Sequence, residues 1–204
     1  MISAIVLAAG LSTRMGKSKP LLPFGSRTLI THIVEILRET PLDEILVITG
    51  HERAALEKLF IDSSAQTIFN SDYATGEMLS SVQIGLQSAS LQSSAALIVL
   101  GDQPALEASV VAQIISAFRD KRGSVVFPSY KMRRGHPILI AREHWPAILE
   151  LRADQTLRDF FRGVSPDAIH HVSVNSPSVL SDMDTPADYE RELENFSRQT
   201  KIKK

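Results

Sequence analysis

The chain has 204 residues, 44% hydrophobic and 22% charged, a size that buries one sizeable core and is short for two. Lys plus Arg number 22 against 23 Asp plus Glu, a net charge of -1, so no global field favours nucleic acid or an acidic membrane surface, and any electrostatics that matter are local. The absence of cysteine excludes disulfides and thiolate metal sites and fits a reducing cytoplasm.

From the N-terminus, Met1-Ile2-Ser3 runs into an apolar segment with no basic leader. No stretch approaches the roughly 20 apolar residues of a membrane span, so neither secretion nor membrane insertion is expected. Short apolar runs predict strands at 4–7, 45–49, 67–69, 96–100, 124–127, 137–140 and 169–174. Between them, apolar residues recur three and four apart at Leu29, Ile33, Ile36 and Leu37, and again at Val110, Val111, Ile114, Ile115 and Phe118, which predicts two helices lying on a sheet. Further helices are expected at about 52–60, 78–88, 142–150, 155–162 and 186–196. This alternation predicts an α/β fold of three layers, Rossmann-like, with a mostly parallel central sheet. The segment 130–171 breaks the alternation and is expected to form an excursion walling a second pocket. One domain is expected over 1–197, followed by a basic, frayed tail at 198–204.

The first strand ends in Leu7-Ala8-Ala9-Gly10-Leu11-Ser12-Thr13-Arg14-Met15-Gly16-Lys17-Ser18-Lys19-Pro20, a loop of small residues and cations. Ala8, Ala9 and Gly10 let a ligand approach the backbone, whose N–H groups can meet phosphate oxygens. Arg14 offers a guanidinium fork and Lys19 a compact point charge. The dinucleotide fingerprint fails because Ser12 stands at its second glycine. The Walker A pattern fails because five residues, not four, separate Gly10 from Gly16-Lys17-Ser18. A P-loop NTPase would need Lys17 at the phosphates, whereas the reading developed here needs Lys19.

The run Leu7-Ala8-Ala9-Gly10-x-Ser12-x-Arg14-Met15-Gly16-x-x-Lys19 resembles the signature of the MobA-like nucleotidyltransferases. The resemblance implies that Arg14 and Lys19 contact a triphosphate. It also implies that Ala9, in the Ala-Ala-Gly form associated with cytidine transfer, points to CTP over GTP.

Asp102 follows an apolar strand in Gly101-Asp102-Gln103-Pro104, at the carboxyl edge where open α/β sheets bind ligands. Mg²⁺ prefers one or two carboxylates together with phosphates and water, so Asp102 facing the cationic loop would suit it. The other reading of Asp102 is a cap for the next helix. Gly-Asp-Gln-Pro is similar to the family's metal motif, and the resemblance makes Asp102 a ligand. In Asp182-Met183-Asp184-Thr185-Pro186-Ala187-Asp188, helix capping accounts for Thr185, Pro186 and Asp188. The resemblance assigns Asp184 to the metal beside Asp102, with Asp182 as the alternative.

The segment from Gly76 to Leu86 resembles the family's stretch near the nucleoside and puts Ser80 or Ser81 beside base or ribose; a local helix cap is the competing reading. Gly135-His136-Pro137 matches an acceptor-side element, and Lys131, Arg133, Arg134 and His136 form a cluster suited to an anionic acceptor. Asp154 and Arg158 fit a family segment that usually carries glycines, where Ala153 and Thr156 stand here. The resemblance spans Ile5 to Tyr189. It implies a cytoplasmic, magnesium-dependent enzyme that transfers CMP from CTP to molybdenum-molybdopterin. A xanthine dehydrogenase-type molybdoenzyme or its maturation factor would be the partner. Alternatives are another phosphorylated acceptor such as a sugar phosphate, use of GTP, a P-loop NTPase, or a carrier that holds the nucleotide form without turnover.

Overall fold

The computed structural model describes residues 1–75 and 77–202, without the side chains of Arg14 and of 199–202. Chain order runs β1 (Ile2–Leu7), β2 (Pro23–Phe24), β3 (Arg27–Thr28), α1 (Leu29–Arg38), β4 (Glu44–Thr49), α2 (Arg53–Lys58), β5 (Gln66–Phe69), α3 (Glu77–Ser88), β6 (Ala95–Leu100) and α4 (Ala108–Arg119). There follow β7 (Val125–Tyr130), β8 (Arg133–Arg134), β9 (Ile138–Ala141), α5 (Trp145–Leu149), α6 (Leu157–Gly163), β10 (Ile169–Ser173) and α7 (Pro186–Ile202).

Among the described residues the main sheet has the order β10-β7-β9-β6-β1-β4-β5, with β8 paired to β7, and β2 and β3 form a separate hairpin. The pairs β1–β4, β1–β6, β4–β5 and β7–β10 are parallel, while β9 runs antiparallel to both β6 and β7. The chain is therefore an α/β protein with a mostly parallel central sheet. The antiparallel β9 is the excursion expected at 130–171: a turn at Lys131 and Met132, both at positive φ, reverses the chain, and the cis peptide His136-Pro137 leads into β9.

Side chains of β1 alternate between two cores, as a period of two requires. Ala4 and Val6 face the cluster built by Leu29, Ile30 and Ile33 of α1 and Val110, Val111 and Ile114 of α4. Ile5 faces the opposite cluster, formed by Leu79, Val82 and Leu86 of α3 with Trp145 and Ile148 of α5. The sheet is thus covered on both faces. Contact between α3 and β1 depends on Gly85, because a Cβ there would collide with the Ile5 side chain. Gly85→Ala is accordingly expected to destabilise the protein by about 1–3 kcal/mol through overpacking, read as a lower urea midpoint. An unchanged midpoint would mean that α3 moves off the sheet without cost.

Several boundaries differ from the sequence reading. The helix expected at 142–150 is a 3₁₀ turn, Arg142–His144, followed by α5; Pro146 sits in the first turn of α5, where its missing N–H costs nothing. The tail expected to fray from 198 instead continues α7, whose backbone is helical to Ile202. Arg198 faces Glu194 one turn back at 3.5 Å, a spacing that supports a helix end.

Candidate active site

Leu7 of β1 lies in register with Leu100 of β6, so the small-residue loop and the Asp102 loop leave the sheet side by side. They are fastened at the edge: the Gly101 N–H donates to the Leu7 carbonyl at 3.0 Å. A Cβ on Gly101 would stand 2.6 Å from that carbonyl oxygen, so this approach requires glycine. The Ala8 N–H donates to Ile48 at 3.0 Å, and the Ala9 carbonyl accepts from His51 N–H at 3.1 Å. This corrects one expectation for the loop. The Ala8 N–H is committed to the sheet edge and not offered to a phosphate, although Ala8 still lines the cleft.

Beyond Gly10 the chain does not enter an α-helix. It makes a 3₁₀ turn at Thr13–Met15, with Ser12 in the left-handed region, and a second at Lys19–Leu21. The Lys19 N–H donates to Ser12 Oγ at 3.0 Å, closing the loop on itself. The next α-helix begins only at Leu29, after the β2–β3 hairpin. A Walker loop delivers its lysine at the start of a helix, so this architecture does not support the P-loop alternative.

Lys19 is 9% exposed, whereas Lys17 is exposed. The Lys19 ammonium donates to Asp102 Oδ2 at 2.9 Å and to Asp184 Oδ1 at 2.8 Å. Burial favours its neutral form, but the hydrogen bonds and charges of Asp184 and Asp102 outweigh burial and hold its pKa above the ordinary lysine value. Residues 83 and 165 positions away are thereby brought to one point.

Asp184 arrives there through the segment before α7. Met183 N–H donates to the Asp102 carbonyl at 3.1 Å, and the buried Gln103 donates through Nε2 to Asp182 Oδ1 at 2.6 Å. Asp182 is thus engaged by Gln103, while Asp184 faces Lys19 with Asp102. As expected, α7 begins with a capping box: Thr185 donates through its N–H and its hydroxyl to Asp188 Oδ2 at 2.9 and 2.8 Å. Those bonds, with Arg191, hold the Asp188 carboxyl down to about 2. From α7, Tyr189 donates its hydroxyl to the Pro23 carbonyl at 2.6 Å, and Phe196 packs against Phe24 with rings tilted at 44° and centroids 4.8 Å apart. The helix so anchors the hairpin that follows Lys19.

These elements enclose a cleft of about 560 Å³ lined by Ala8, Ala9, Gly10, Lys19, Ser81, Asp102, Asp182 and Asp184. Ser81 lines the cleft and Ser80 does not; Ser80 Oγ donates to the Glu77 carbonyl at 3.1 Å, a bond back onto its own helix. The Arg14 side chain and Gly76 lie outside the described residues.

Lys131, Arg133, Arg134 and His136 do not line the cleft. The three cations are exposed, with Arg134 over the Phe127 ring at 5.1 Å and Lys131 over Tyr130 at 5.3 Å. His136 is half-buried; burial pushes its pKa below the ordinary imidazole value against the pull of Asp182 and Asp102, so near pH 7 it offers a hydrogen bond and not a charge. Asp154 and Arg158 are exposed, and Asp154 pairs with Arg152 at 3.1 Å.

Sequence reasoning missed Asn70, which is fully buried and donates from Nδ2 to Ser80 at 2.9 Å and Ser81 at 3.0 Å. Its signal was available: it is a polar residue directly after a strand, as Asp102 stands one residue beyond another. Tyr73 and Thr75 also line the cleft without any motif to mark them, and Met78 of the segment 76–86 lines it too.

The donor set suits a divalent ion. Two carboxylates from separate loops already converge on the Lys19 ammonium at the cleft, and Mg²⁺ needs only one or two carboxylates beside phosphate and water. No group of three or more His, Cys, Asp or Glu side chains placed to hold a metal exists among the described residues, so these two carboxylates would need further oxygens from a ligand.

The family model described as the MobA-like NTP transferase domain matches residues 4–172. The molybdenum cofactor cytidylyltransferase of Escherichia coli is 28% identical over 190 residues, covering 92% of this chain and 93% of that protein. The nicotine blue oxidoreductase of Paenarthrobacter nicotinovorans is 26% identical over 191 residues, with coverage of 90% and 92%. A Mycobacterium tuberculosis protein solved as a complex with manganese superposes with a TM-score of 0.78 at 23% identity, over 95% of this chain and 98% of that one.

Proposed function

This chain belongs to the MobA-like NTP transferase family and is a nucleotidyltransferase, and we propose that it transfers CMP from CTP to molybdenum-molybdopterin in the cytoplasm with release of pyrophosphate. The observation that carries the reading is the convergence of Asp102 and Asp184 on Lys19 at the mouth of the small-residue loop. The whole-length similarity to the Escherichia coli cytidylyltransferase and the Ala9 form of the loop support CTP and this acceptor.

In the reaction a terminal phosphate oxygen of the acceptor bonds to the α-phosphorus of CTP. The bond from the α-phosphorus to the bridging oxygen breaks, and pyrophosphate leaves with both electrons of that bond. Lys19 and Arg14 would hold the triphosphate and offset charge on the departing oxygens. Asp102 and Asp184 would hold Mg²⁺, which when bound supplies Lewis-acid neutralisation of phosphate charge. Asn70 keeps Ser81 facing the nucleoside side of the cleft, and His136 would donate a hydrogen bond on the acceptor side. No protein nucleophile is needed; the residues position reactants and stabilise charge.

Base choice gives the test. Ala9 lines the cleft, and its methyl group narrows the space where a larger base would sit. The expected result is a higher kcat/KM for CTP than for GTP in pyrophosphate release with a molybdopterin acceptor. In Ala9→Gly that ratio should fall, though only partly, since one methyl group is worth about 1–3 kcal/mol. A wild type that prefers GTP defeats the cytidylyl assignment, and an unchanged ratio in the variant defeats only the role of Ala9. Absence of pyrophosphate with every NTP would instead turn attention to redox chemistry of the kind named for the Paenarthrobacter relative.

A further inference from the structure

Lys19 has two positions to serve. The transfer reaction needs its ammonium on a phosphate, yet the ammonium lies between the two carboxylates, 2.9 Å from Asp102 and 2.8 Å from Asp184. An ammonium and a divalent ion make the same demand on such a pair, and both cannot stand at that point. The carboxylates are only partly screened, at 28% and 38% side-chain exposure against 11% for Lys19, so like-charge repulsion between a second cation and the ammonium would be felt strongly. The position of Lys19 is also held from its backbone, by the bond from its N–H to Ser12 Oγ.

We propose that Lys19 is an internal counter-cation that occupies the metal position between Asp102 and Asp184 in the nucleotide-free protein, so that the divalent ion enters with the nucleotide and not ahead of it. A phosphate anion arriving over the small-residue loop draws the ammonium away from the carboxylates and leaves them to the metal. The proposal rests on the metal-site assignment made above.

The test uses Mn²⁺ alone with the full-length, nucleotide-free protein, counting free ion by electron paramagnetic resonance. Lys19→Met is expected to bind Mn²⁺ at least about tenfold more tightly than the wild type. Lys19→Gln, which retains a hydrogen-bond donor for one carboxylate and serves if the methionine variant folds poorly, should show the same direction. Lys17→Met removes the same charge from the exposed part of the loop and should change the affinity by less than about twofold. Adding Asp102→Asn to Lys19→Met should abolish the gain. The proposal is overturned if neither Lys19 variant binds more tightly than the wild type, if Lys17→Met matches them, or if the gain survives loss of Asp102. Because no nucleotide or acceptor is present, the outcome is separable from the transfer reading: a gain without any pyrophosphate release in the wild type keeps the counter-cation and removes the reaction, and release without a gain does the opposite.

Discussion

Asp102→Asn is expected to lower magnesium-dependent turnover by on the order of 10²–10³-fold while the melting temperature stays close to that of the wild type. The amide keeps the shape of the carboxylate and loses its charge, which removes the anionic ligand and weakens metal binding. The fold tolerates the change because Asp184 still pairs with the buried Lys19 ammonium at 2.8 Å, so no buried charge is left alone. Asp184 remains to balance Lys19 in the variant. The check is pyrophosphate release titrated with Mg²⁺. Near-normal activity at ordinary magnesium concentrations would make Asp102 a structural residue at the edge of the sheet and not a ligand.

Lys19→Ala should likewise cost on the order of 10²-fold in kcat/KM, against less than about threefold for Lys17→Ala. The two lysines share a loop and a charge, but only Lys19 is buried in the cleft and bonded to both carboxylates, while Lys17 is exposed. An exposed cation acts through a screened field; a buried one acts through contact. The opposite order of the two variants in the same assay would return the loop to a Walker-like reading, with Lys17 at the phosphates.

Legibility in the sequence followed the length of each signal. The strands at β1, β4 and β6 are continuous apolar runs buried on both faces, and their helices carry apolar residues at helical spacing, so periodicity alone located them. The β2–β3 hairpin and β8 have two residues per strand, too few for any period to show. The strand expected at 124–127 runs on to Tyr130 as β7. There Pro128 lies in register with Val172 of β10 and its carbonyl accepts from Gly135 N–H, so pairing with neighbouring elements extends the strand beyond its apolar run. In the site, Lys19 closes a loop of small residues and Asp102 stands one residue beyond a strand, positions that draw notice, but the family resemblance is what favoured a ligand over a cap for Asp102. Capping left both Asp182 and Asp184 unexplained, and the resemblance singled out Asp184. Asn70 and Gln103 act by holding other polar groups, Ser81 and Asp182, across 11 and 79 positions, and no spacing in the chain announces such pairings.

Following the phosphorus atoms of CTP tests the central claim most directly. With CTP labelled at the α-phosphate, molybdopterin acceptor and Mg²⁺, the label should pass into the acceptor, and with CTP labelled at the γ-phosphate it should leave as pyrophosphate. Appearance of the γ-label as inorganic phosphate, with the α-label retained in CDP, would show cleavage at the wrong bond and contradict nucleotidyl transfer by this site.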